Sequence, residues 1–322
     1  MRSMIEAPLR EATKAIAAAP SLAISCHVSP DGDALGSALA LGHAAVAAGK
    51  EVAVSFGGPL VVPQSLGFLD TSLLVAADQF PAAPEVMVVF DVGSADRLGG
   101  LRSAAEAAGT LVVVDHHVTN EGFGDIAIID PKAAASAQLC TYLLDSLEWE
   151  IDDRVATCLL TGIVTDTGRF QYSATDGEVM RVAARLLDAG ARPETIGHAV
   201  YESVPFGYLQ ASSAVLGRST LEEQLSLVWS YVTHSDLKSA SVTYEDLDGL
   251  IDDLRIAKEA GVAVLLKEVD GGWRVSMRSR GAVDVGSIAA TYGGGGHHNA
   301  SGFTAGGSVD EVVESVRKHL RA

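Results

Sequence analysis

A chain of 322 residues is long for one hydrophobic core, so its length predicts two domains. Hydrophobic residues make up 48% of the chain and charged residues 20%, which excludes a wholly disordered protein. The 41 acidic and 23 basic side chains give a formal net charge of −18, which argues against a protein that coats long duplex nucleic acid, because such binding depends on neutralised phosphates.

The sequence also restricts the compartment in which we expect the protein. Its 3 cysteines, Cys26, Cys140 and Cys158, are too few for a disulfide scaffold and lack metal-knuckle spacing, which favours free thiols in a reducing compartment. Residues 1–20 carry acidic side chains and no long apolar run, so they do not resemble a signal peptide. No run of about 18 apolar residues occurs, so we expect no membrane span and a cytoplasmic location.

The first part of the chain alternates short apolar runs with alanine-rich stretches. A helix is predicted before Pro20, because Ile5, Leu9 and Ile16 fall roughly on one helical face. Strands are predicted at 21–25, 51–55, 86–90 and 111–115, and helices at 34–48, 95–108, 136–147, 154–165, 176–189 and 193–202. Continuous valine-rich strands that alternate with helices indicate an α/β fold with a parallel sheet buried on both faces.

The pattern changes after Pro205 and Gly207, which mark a domain boundary. Strands are then predicted at 225–233, 262–269 and 273–279, and helices near 245–259, 284–291 and 309–320. We therefore predict a first domain over 1–204, a linker over 205–218 and a smaller α+β domain over 219–322.

Acidic and histidine side chains follow the predicted strands of the first domain and end one of its helices. These residues are His27, Asp31, Asp33, Asp91, Asp115, His116, His117 and Asp166. Because parallel strands end at one edge of a sheet, the side chains are expected to converge. The carboxylates would repel one another strongly unless divalent cations lay among them. Oxygen ligands with a few imidazoles suit Mn²⁺ or Mg²⁺, and less clearly Zn²⁺ or Fe²⁺, and this many ligands favours two bridged ions about 3.5–4 Å apart.

Each part of this cluster also has a structural interpretation. Asp33 and Asp91 could cap the helices that follow them, and the Asp-Gly step before Asp33 could be a plain turn. Asp115, His116 and His117 are harder to explain in this way, because polar residues that end a buried strand need partners.

A second informative segment lies in the smaller domain. Four consecutive glycines at 293–296 precede His297 and His298, and the strand before them contains Arg278. Glycines of this kind allow close backbone approach, and their N–H groups can cradle a phosphate. Arg278 and His297 could add charge-assisted contacts, whereas the alternative is a flexible linker.

The segments HVSPDGDALGSALAL, DVGSADRLG, VDHH, TGIVTDTGRF and GGGGHHNASG resemble, in order and spacing, the DHH–DHHA1 phosphoesterases. The resemblance runs from about residue 20 to 320. It implies a parallel-sheet DHH domain, a smaller α+β DHHA1 domain and an active site in the cleft between them. Among family members, the chain is similar to short enzymes that degrade nanoRNA and hydrolyse 3′-phosphoadenosine 5′-phosphate, and some relatives act on cyclic dinucleotides such as c-di-AMP or on linear pApA.

The resemblance implies a role for each site residue. His27, Asp31 and Asp91 would hold one metal ion, preferably Mn²⁺, and Asp33, Asp91, His116 and Asp166 would hold the other, with Asp91 bridging. Asp115 would orient an imidazole, and His117 would face the scissile phosphate as a catalytic group. The remaining residues would bind substrate: Arg278, Gly295, Gly296 and His297, with His298, Ser301 and Arg280 as further candidates.

Other interpretations stay open at this point. Expected partners are short RNA or nucleotide phosphates, without long duplex nucleic acid or membrane, and a homodimer is suggested by the resemblance alone. A single-strand DNA exonuclease of the same family would usually need a longer chain with an added binding barrel. A non-catalytic nucleotide- or RNA-binding module would tend to have lost metal ligands, whereas all of them are present.

Overall fold

The computed structural model describes residues 5–120 and 122–321, apart from the side chain of His297. The chain divides into two compact units, Met1–Glu202 and Ser203–Ala322. No helix in the described part of the chain is long and apolar enough to span a bilayer.

A five-stranded parallel sheet forms the centre of the first unit. Its strands are β1 (Ser21–Cys26), β2 (Glu51–Phe56), β3 (Val86–Phe90), β4 (Thr110–Asp115) and β5 (Ile126–Ile129), in the order β2-β1-β3-β4-β5. All four strand pairs are parallel, which confirms the predicted sheet. The short edge strand β5 was not predicted.

Both faces of this sheet are covered, as its valine-rich strands require. Along β3, Val88 and Phe90 join the core under the helices of one face, while Met87 and Val89 join a second core under Leu98 on the other. The helices are α1 (Glu6–Ala18), α2 (Gly32–Ala47), α3 (Arg102–Glu106), α4 (Ser136–Leu147), α5 (Asp153–Asp166), α6 (Gly177–Asp188) and α7 (Pro193–Tyr201).

The second unit is built on a six-stranded mixed sheet. Its strands are β6 (Thr220–Glu222), β7 (Leu227–Val232), β8 (Val262–Val269), β9 (Gly272–Ser279), β10 (Gly295–His297) and β11 (Ala300–Ala305), in the order β10-β11-β9-β8-β7-β6. Among the described strands of this second sheet, only β7 and β8 pair in parallel. The helices are α8 (Phe206–Gly217), α9 (His234–Ala240), α10 (Leu250–Arg255), α11 (Val285–Thr291) and α12 (Val309–Leu320), so the α+β prediction is confirmed.

The segment 205–218, predicted as a linker, forms helix α8 instead. Pro205 stands at the N-cap of this helix with a φ of −65°, a value that suits a helix start. Ala211 and Val215 are buried in one core of the second unit. Gly207 lies so close to α9 that an added Cβ would stand 2.1 Å from the Ala240 carbonyl oxygen. Packing therefore makes this segment part of the second unit.

Candidate metal centre

The ends of the parallel strands bring all eight predicted residues of the first unit together. The ligand atoms of seven of them, all but Asp115, form three groups within which every pair of atoms lies within 4.8 Å. The groups are His27, Asp31 and Asp91; Asp33, His116 and Asp166; and Asp91, His116 and His117.

The first group forms after β1. His27 is buried, and its Nδ1 donates to the Val28 carbonyl oxygen at 2.8 Å, which leaves Nε2 for the carboxylates. That Nε2 lies 3.7 Å from Asp31 Oδ2 and 3.4 Å from Asp91 Oδ2. Asp31 also caps α2 by accepting from the backbone N–H groups of Asp33 and Ala34. The Asp31 side chain is 56% exposed, so this group opens to solvent.

The second group centres on His116. Its Nδ1 lies 3.3 Å from the Ala133 carbonyl oxygen, while its Nε2 lies 2.9 Å from Asp166 Oδ2 and 3.9 Å from Asp33 Oδ2. Asp166 is the last residue of α5, which places its carboxylate near the strand ends. A nitrogen held by a backbone carbonyl and a second nitrogen facing carboxylates is the usual arrangement of a metal-binding histidine.

Asp91 connects the two groups through its two oxygens. Oδ2 faces His27, whereas Oδ1 lies 3.5 Å from His116 Nε2 and accepts a 3.1 Å hydrogen bond from the Ser136 hydroxyl. The residue is buried and has a φ of 59°, a left-handed conformation that costs energy for any residue with a Cβ. The strained backbone at the end of β3 thus directs a single carboxylate into both groups.

Asp33 is tied to the start of a helix far away in sequence. Its Oδ2 accepts from the Ser136 N–H at 2.6 Å and its Oδ1 from the Ala137 N–H at 2.8 Å, so it supplies the cap that α4 lacks on its own N-cap residue. From the sequence, Asp33 was expected to cap α2. In the structure Asp31 caps α2, and Asp33 caps α4. The Asp33 carboxylate also packs closely against Gly162 of α5, where an added Cβ would stand 2.7 Å from Asp33 Oδ1.

Asp115 lies outside the three donor groups and instead orients His117 through hydrogen bonds. Its buried Oδ1 accepts from the His117 Nδ1 at 2.7 Å and from the backbone N–H groups of His116 and His117 at 2.8 and 3.2 Å. Its Oδ2 accepts from Asn120 Nδ2 at 2.6 Å, and Asn120 also donates to the Val92 carbonyl oxygen. Sequence reasoning missed both Asn120 and Ser136, because their partners are set by loop and helix placement rather than by a local pattern.

Carboxylates surround the imidazoles and shift their pKa values. Burial lowers the pKa of His27, but hydrogen bonding and charge from Asp31 and Asp91 outweigh it and raise the pKa to about 10. Burial and the charges of Asp91 and Asp166 raise the pKa of Asp33 well above its usual range. A divalent cation among these donors would remove the repulsion and displace the imidazole protons.

The donor set fits divalent metal ions. Ligands bind Mg²⁺ at about 2.0–2.1 Å, so two atoms that share an ion lie no more than about 4.2 Å apart. The His27 contacts of 3.4 and 3.7 Å and the His116 contacts of 2.9, 3.5 and 3.9 Å all satisfy this limit. Oxygen donors predominate, as Mn²⁺ and Mg²⁺ require.

The substrate-binding candidates of the second unit fall on two faces of its sheet. Arg278, Ala300 and His297 occupy one row across β9, β11 and β10. Arg278 is partly buried, and its Nη1 donates to the Met277 carbonyl oxygen at 3.2 Å. The His297 side chain, a predicted substrate contact, lies outside the described part of the structure.

Ser301 and His298 differ from Arg278 in their surroundings. Ser301 is buried on the other face, where its hydroxyl donates to the Val285 carbonyl oxygen at 2.6 Å. This packing bond does not support the predicted substrate contact. His298 is exposed in the β10–β11 turn, with Nε2 3.1 Å from the Gly281 carbonyl oxygen.

The four glycines begin a β-hairpin, so they do not form the flexible linker that was the alternative. A Cβ on Gly294 would stand 2.1 Å from the Gly302 carbonyl oxygen, and one on Gly296 would stand 2.4 Å from the Ala300 carbonyl oxygen. Gly293 has a φ of 74° after α11. At Gly295 an added Cβ would meet nothing within 4 Å, so strand packing does not require glycine there.

The strand ends of the parallel sheet carry two carboxylate–imidazole groups joined by one aspartate. This arrangement is typical of metal-dependent phosphoester hydrolases. Two family models match the chain: "DHH family, N-terminal domain" over residues 21–163 and "DHHA1 domain" over 225–322. The bifunctional oligoribonuclease and PAP phosphatase NrnA of Thermus thermophilus is 34% identical over 304 residues, which are 92% of this chain and 89% of that protein. The protein therefore belongs to the DHH family.

Further relatives agree with this membership. The bifunctional oligoribonuclease and PAP phosphatase NrnA of Bacillus subtilis is 26% identical over 280 residues, 86% of each chain. A crystal structure of an exopolyphosphatase-related protein from Bacteroides fragilis has a TM-score of 0.92 and 25% identity, covering 100% of this chain and 98% of that one. RecJ of Thermus thermophilus in complex with Mn²⁺ shares the fold, with a TM-score of 0.57 and 12% identity over 97% of this chain and 54% of that one. The expected fold and phosphoesterase class are confirmed.

Proposed function

We propose that this protein is a two-metal phosphodiesterase of short oligoribonucleotides that also removes a phosphate from 3′-phosphoadenosine 5′-phosphate. The observation that carries the proposal is the pair of donor groups joined by the two oxygens of Asp91. The names of the Thermus and Bacillus relatives support the substrate class.

The proposal assigns His27, Asp31 and Asp91 to one ion and Asp33, Asp91, His116 and Asp166 to the other, with Mn²⁺ the preferred metal. In support, the ligand atoms of His27, Asp31 and Asp91 lie within 4.8 Å of one another, as do those of Asp33, His116 and Asp166, and Asp91 Oδ1 lies 3.5 Å from His116 Nε2. When bound, the ions supply a nucleophilic hydroxide at neutral pH and neutralise the charge of the phosphate. The chain's own part is to hold these donors, and the bonds from Ser136 to Asp91 and Asp33 fix two of them.

His117 is assigned to protonate the leaving oxygen. Its Nδ1 proton is held by Asp115, so Nε2 is the nitrogen that remains to exchange a proton with substrate. Burial lowers the pKa of His117, but the Asp115 hydrogen bond and the charge of Asp91 raise it above its ordinary value. A raised pKa favours the protonated imidazole, which is the form that a general acid needs.

A second substrate class has one observation in its favour. The cyclic-di-AMP phosphodiesterase GdpP of Geobacillus thermodenitrificans is 28% identical over 216 residues, 65% of this chain and 32% of that protein. Cyclic di-AMP and linear pApA therefore belong among the substrates to be compared.

A substrate panel under matched metal tests the proposal. Dinucleotides, nanoRNA of three to five nucleotides, 3′-phosphoadenosine 5′-phosphate, cyclic di-AMP and single-stranded DNA would be compared in Mn²⁺ and in chelator. We expect the short ribonucleotides to give the highest kcat/KM. Activity should be lost in chelator and restored when Mn²⁺ is added back. Full activity in chelator would refute the metal assignment, and a preference for long DNA would favour the exonuclease alternative.

A further inference from the structure

A series of hydrogen bonds leads from His116 of the metal centre to a carboxylate on another helix. The Ala133 carbonyl oxygen lies 3.3 Å from His116 Nδ1, and because a carbonyl only accepts, this nitrogen carries the proton. The N–H of Ala134 belongs to the same peptide group as that carbonyl and donates to Gln138 Oε1 at 2.8 Å. One planar peptide group therefore connects the imidazole to the Gln138 side chain.

Gln138 carries the series into α4. Its side chain is buried, and the bond from the Ala134 N–H identifies Oε1 as the acceptor, which leaves Nε2 to donate. Nε2 donates to the Tyr142 hydroxyl at 2.8 Å, one helical turn further on, and that hydroxyl donates to Glu178 Oε1 at 2.7 Å. Every donor thus points the same way, from the imidazole toward the carboxylate. We call Gln138, Tyr142 and Glu178 the relay.

The two helices that carry the relay are tied to each other. Tyr142 lies on α4 and Glu178 in the first turn of α6. Arg185 of α6 also forms a bidentate pair with Asp145 of α4, at 2.7 and 2.9 Å. The bond between Tyr142 and Glu178 is therefore one of several contacts across the same helix pair, and its geometry is supported on both sides.

We propose that the relay positions His116 for metal binding and makes its Nε2 a stronger metal ligand. Buried hydrogen bonds that follow one another in one direction polarise each other, so the negative charge of Glu178 strengthens the bond at His116 Nδ1. A metal-binding histidine whose other N–H is held in this way is both oriented and more basic. The relay residues are positioning residues, because they act through the Ala133–Ala134 peptide. The inference rests on the proposed function, since it takes His116 as a ligand of one of the two ions.

Calorimetric titration with Mn²⁺ tests the inference without measuring hydrolysis. Tyr142→Phe removes one oxygen and interrupts the relay, so the ion assigned to His116 should bind about 10-fold more weakly, at the lower end of the effect of an outer partner of a metal ligand. The ion assigned to His27 should bind as in the wild type, and His27→Ala identifies which binding step belongs to it. Glu178→Gln keeps an acceptor for the Tyr142 hydroxyl but removes the charge. It should therefore weaken the same ion to a smaller extent, with unchanged stability in urea.

Tyr208→Phe is the matched control for a structural role. The Tyr208 hydroxyl also donates to a carboxylate, that of Asp253 at 2.8 Å, but in the second unit. Its loss should lower stability and leave both Mn²⁺ affinities unchanged, which is also what a purely structural role of Tyr142 would give. Wild-type affinity in either relay variant, an equal loss for both ions, or an equal loss in Tyr208→Phe would overturn the inference. Tight binding of two Mn²⁺ ions without hydrolysis of nanoRNA would instead count against the proposed function, and a wild-type chain that binds no Mn²⁺ would overturn both.

Discussion

Replacing Asp115 with asparagine should damage catalysis while leaving metal content intact. Asp115 ligates nothing in the assignment, but its Oδ1 accepts from three N–H groups of His116 and His117, and its Oδ2 accepts from Asn120. An asparagine can keep its oxygen toward the three donors, in which case its NH₂ group faces the Asn120 NH₂ group 2.6 Å away. Asn120 cannot flip without losing its bonds to Val92 and Gly122.

The magnitude follows from these contacts. Hydrogen bonds to a charged group contribute about 1.5–3 kcal/mol and neutral ones about 0.5–1.5 kcal/mol, so three weakened bonds should cost about 3–4.5 kcal/mol of unfolding free energy, and the donor clash should add to this loss. Without the Asp115 charge, the pKa of His117 falls, and the imidazole is less often protonated at neutral pH. A positioned general acid contributes about 10²–10⁴-fold, so we expect kcat to fall about 10²-fold and its alkaline limb to move to lower pH.

The assay is the pH dependence of kcat on a dinucleotide, with metal content measured by mass spectrometry and stability by urea denaturation. Asp125→Asn is the matched control, because Asp125 accepts from the Leu111 N–H at the opposite end of β4. That variant should change stability without moving the pH profile. Unchanged kcat in Asp115→Asn, or loss of metal in proportion to the loss of activity, would refute the reasoning about His117.

Two further predictions concern packing and charge at the metal centre. Gly162→Ala places a Cβ 2.7 Å from Asp33 Oδ1, so it should cost about 1–3 kcal/mol of stability and weaken metal binding in calorimetry, whereas Gly197→Ala on α7, where nothing lies within 4 Å, should be neutral or slightly stabilising. Equal effects of the two alanines would contradict the packing argument. His27 has a pKa raised from 6.5 to about 10, so in chelator its stabilisation is complete below pH 6.5 and is lost as pH rises toward 10. Urea denaturation across this range should show the loss in the wild-type chain and less of it in His27→Gln; an equal loss in both would exclude His27 as the source.

The parallel sheet and the convergence of the donor residues were predictable, because both follow from local sequence patterns and the geometry of parallel strands. Valine-rich runs such as that of β3 are typical of strands buried on both faces, and the ends of parallel strands meet at one edge. The convergence of Asp91 with residues from other strands follows from that geometry. The pattern could not reveal that Asp91 adopts a left-handed backbone conformation, because a residue that follows a strand need not adopt one.

Contacts between distant segments account for what was missed. The bond from the Ser136 N–H to Asp33 joins residues 103 positions apart, and no local signal marks it. Pro205 was interpreted as a boundary, although proline is equally compatible with a helix start, and only packing of α8 on α9 decides between the two. Strand β10 was not predicted, because glycine is uncommon in strands. It forms because β11 provides its hydrogen-bond partners.

Metal content of the wild-type chain and of Asp91→Ala tests the central claim most directly. Both proteins would be dialysed against Mn²⁺ and measured for ions per chain, with His43→Ala as control, because His43 is buried on α2 and bonds the Asp70 carbonyl oxygen outside all three donor groups. The account predicts about two ions in the wild type and the control, and fewer than one in Asp91→Ala, since this carboxylate serves both donor groups. Two ions retained without Asp91, or only one in the wild type, would contradict a centre of two ions bridged by this residue.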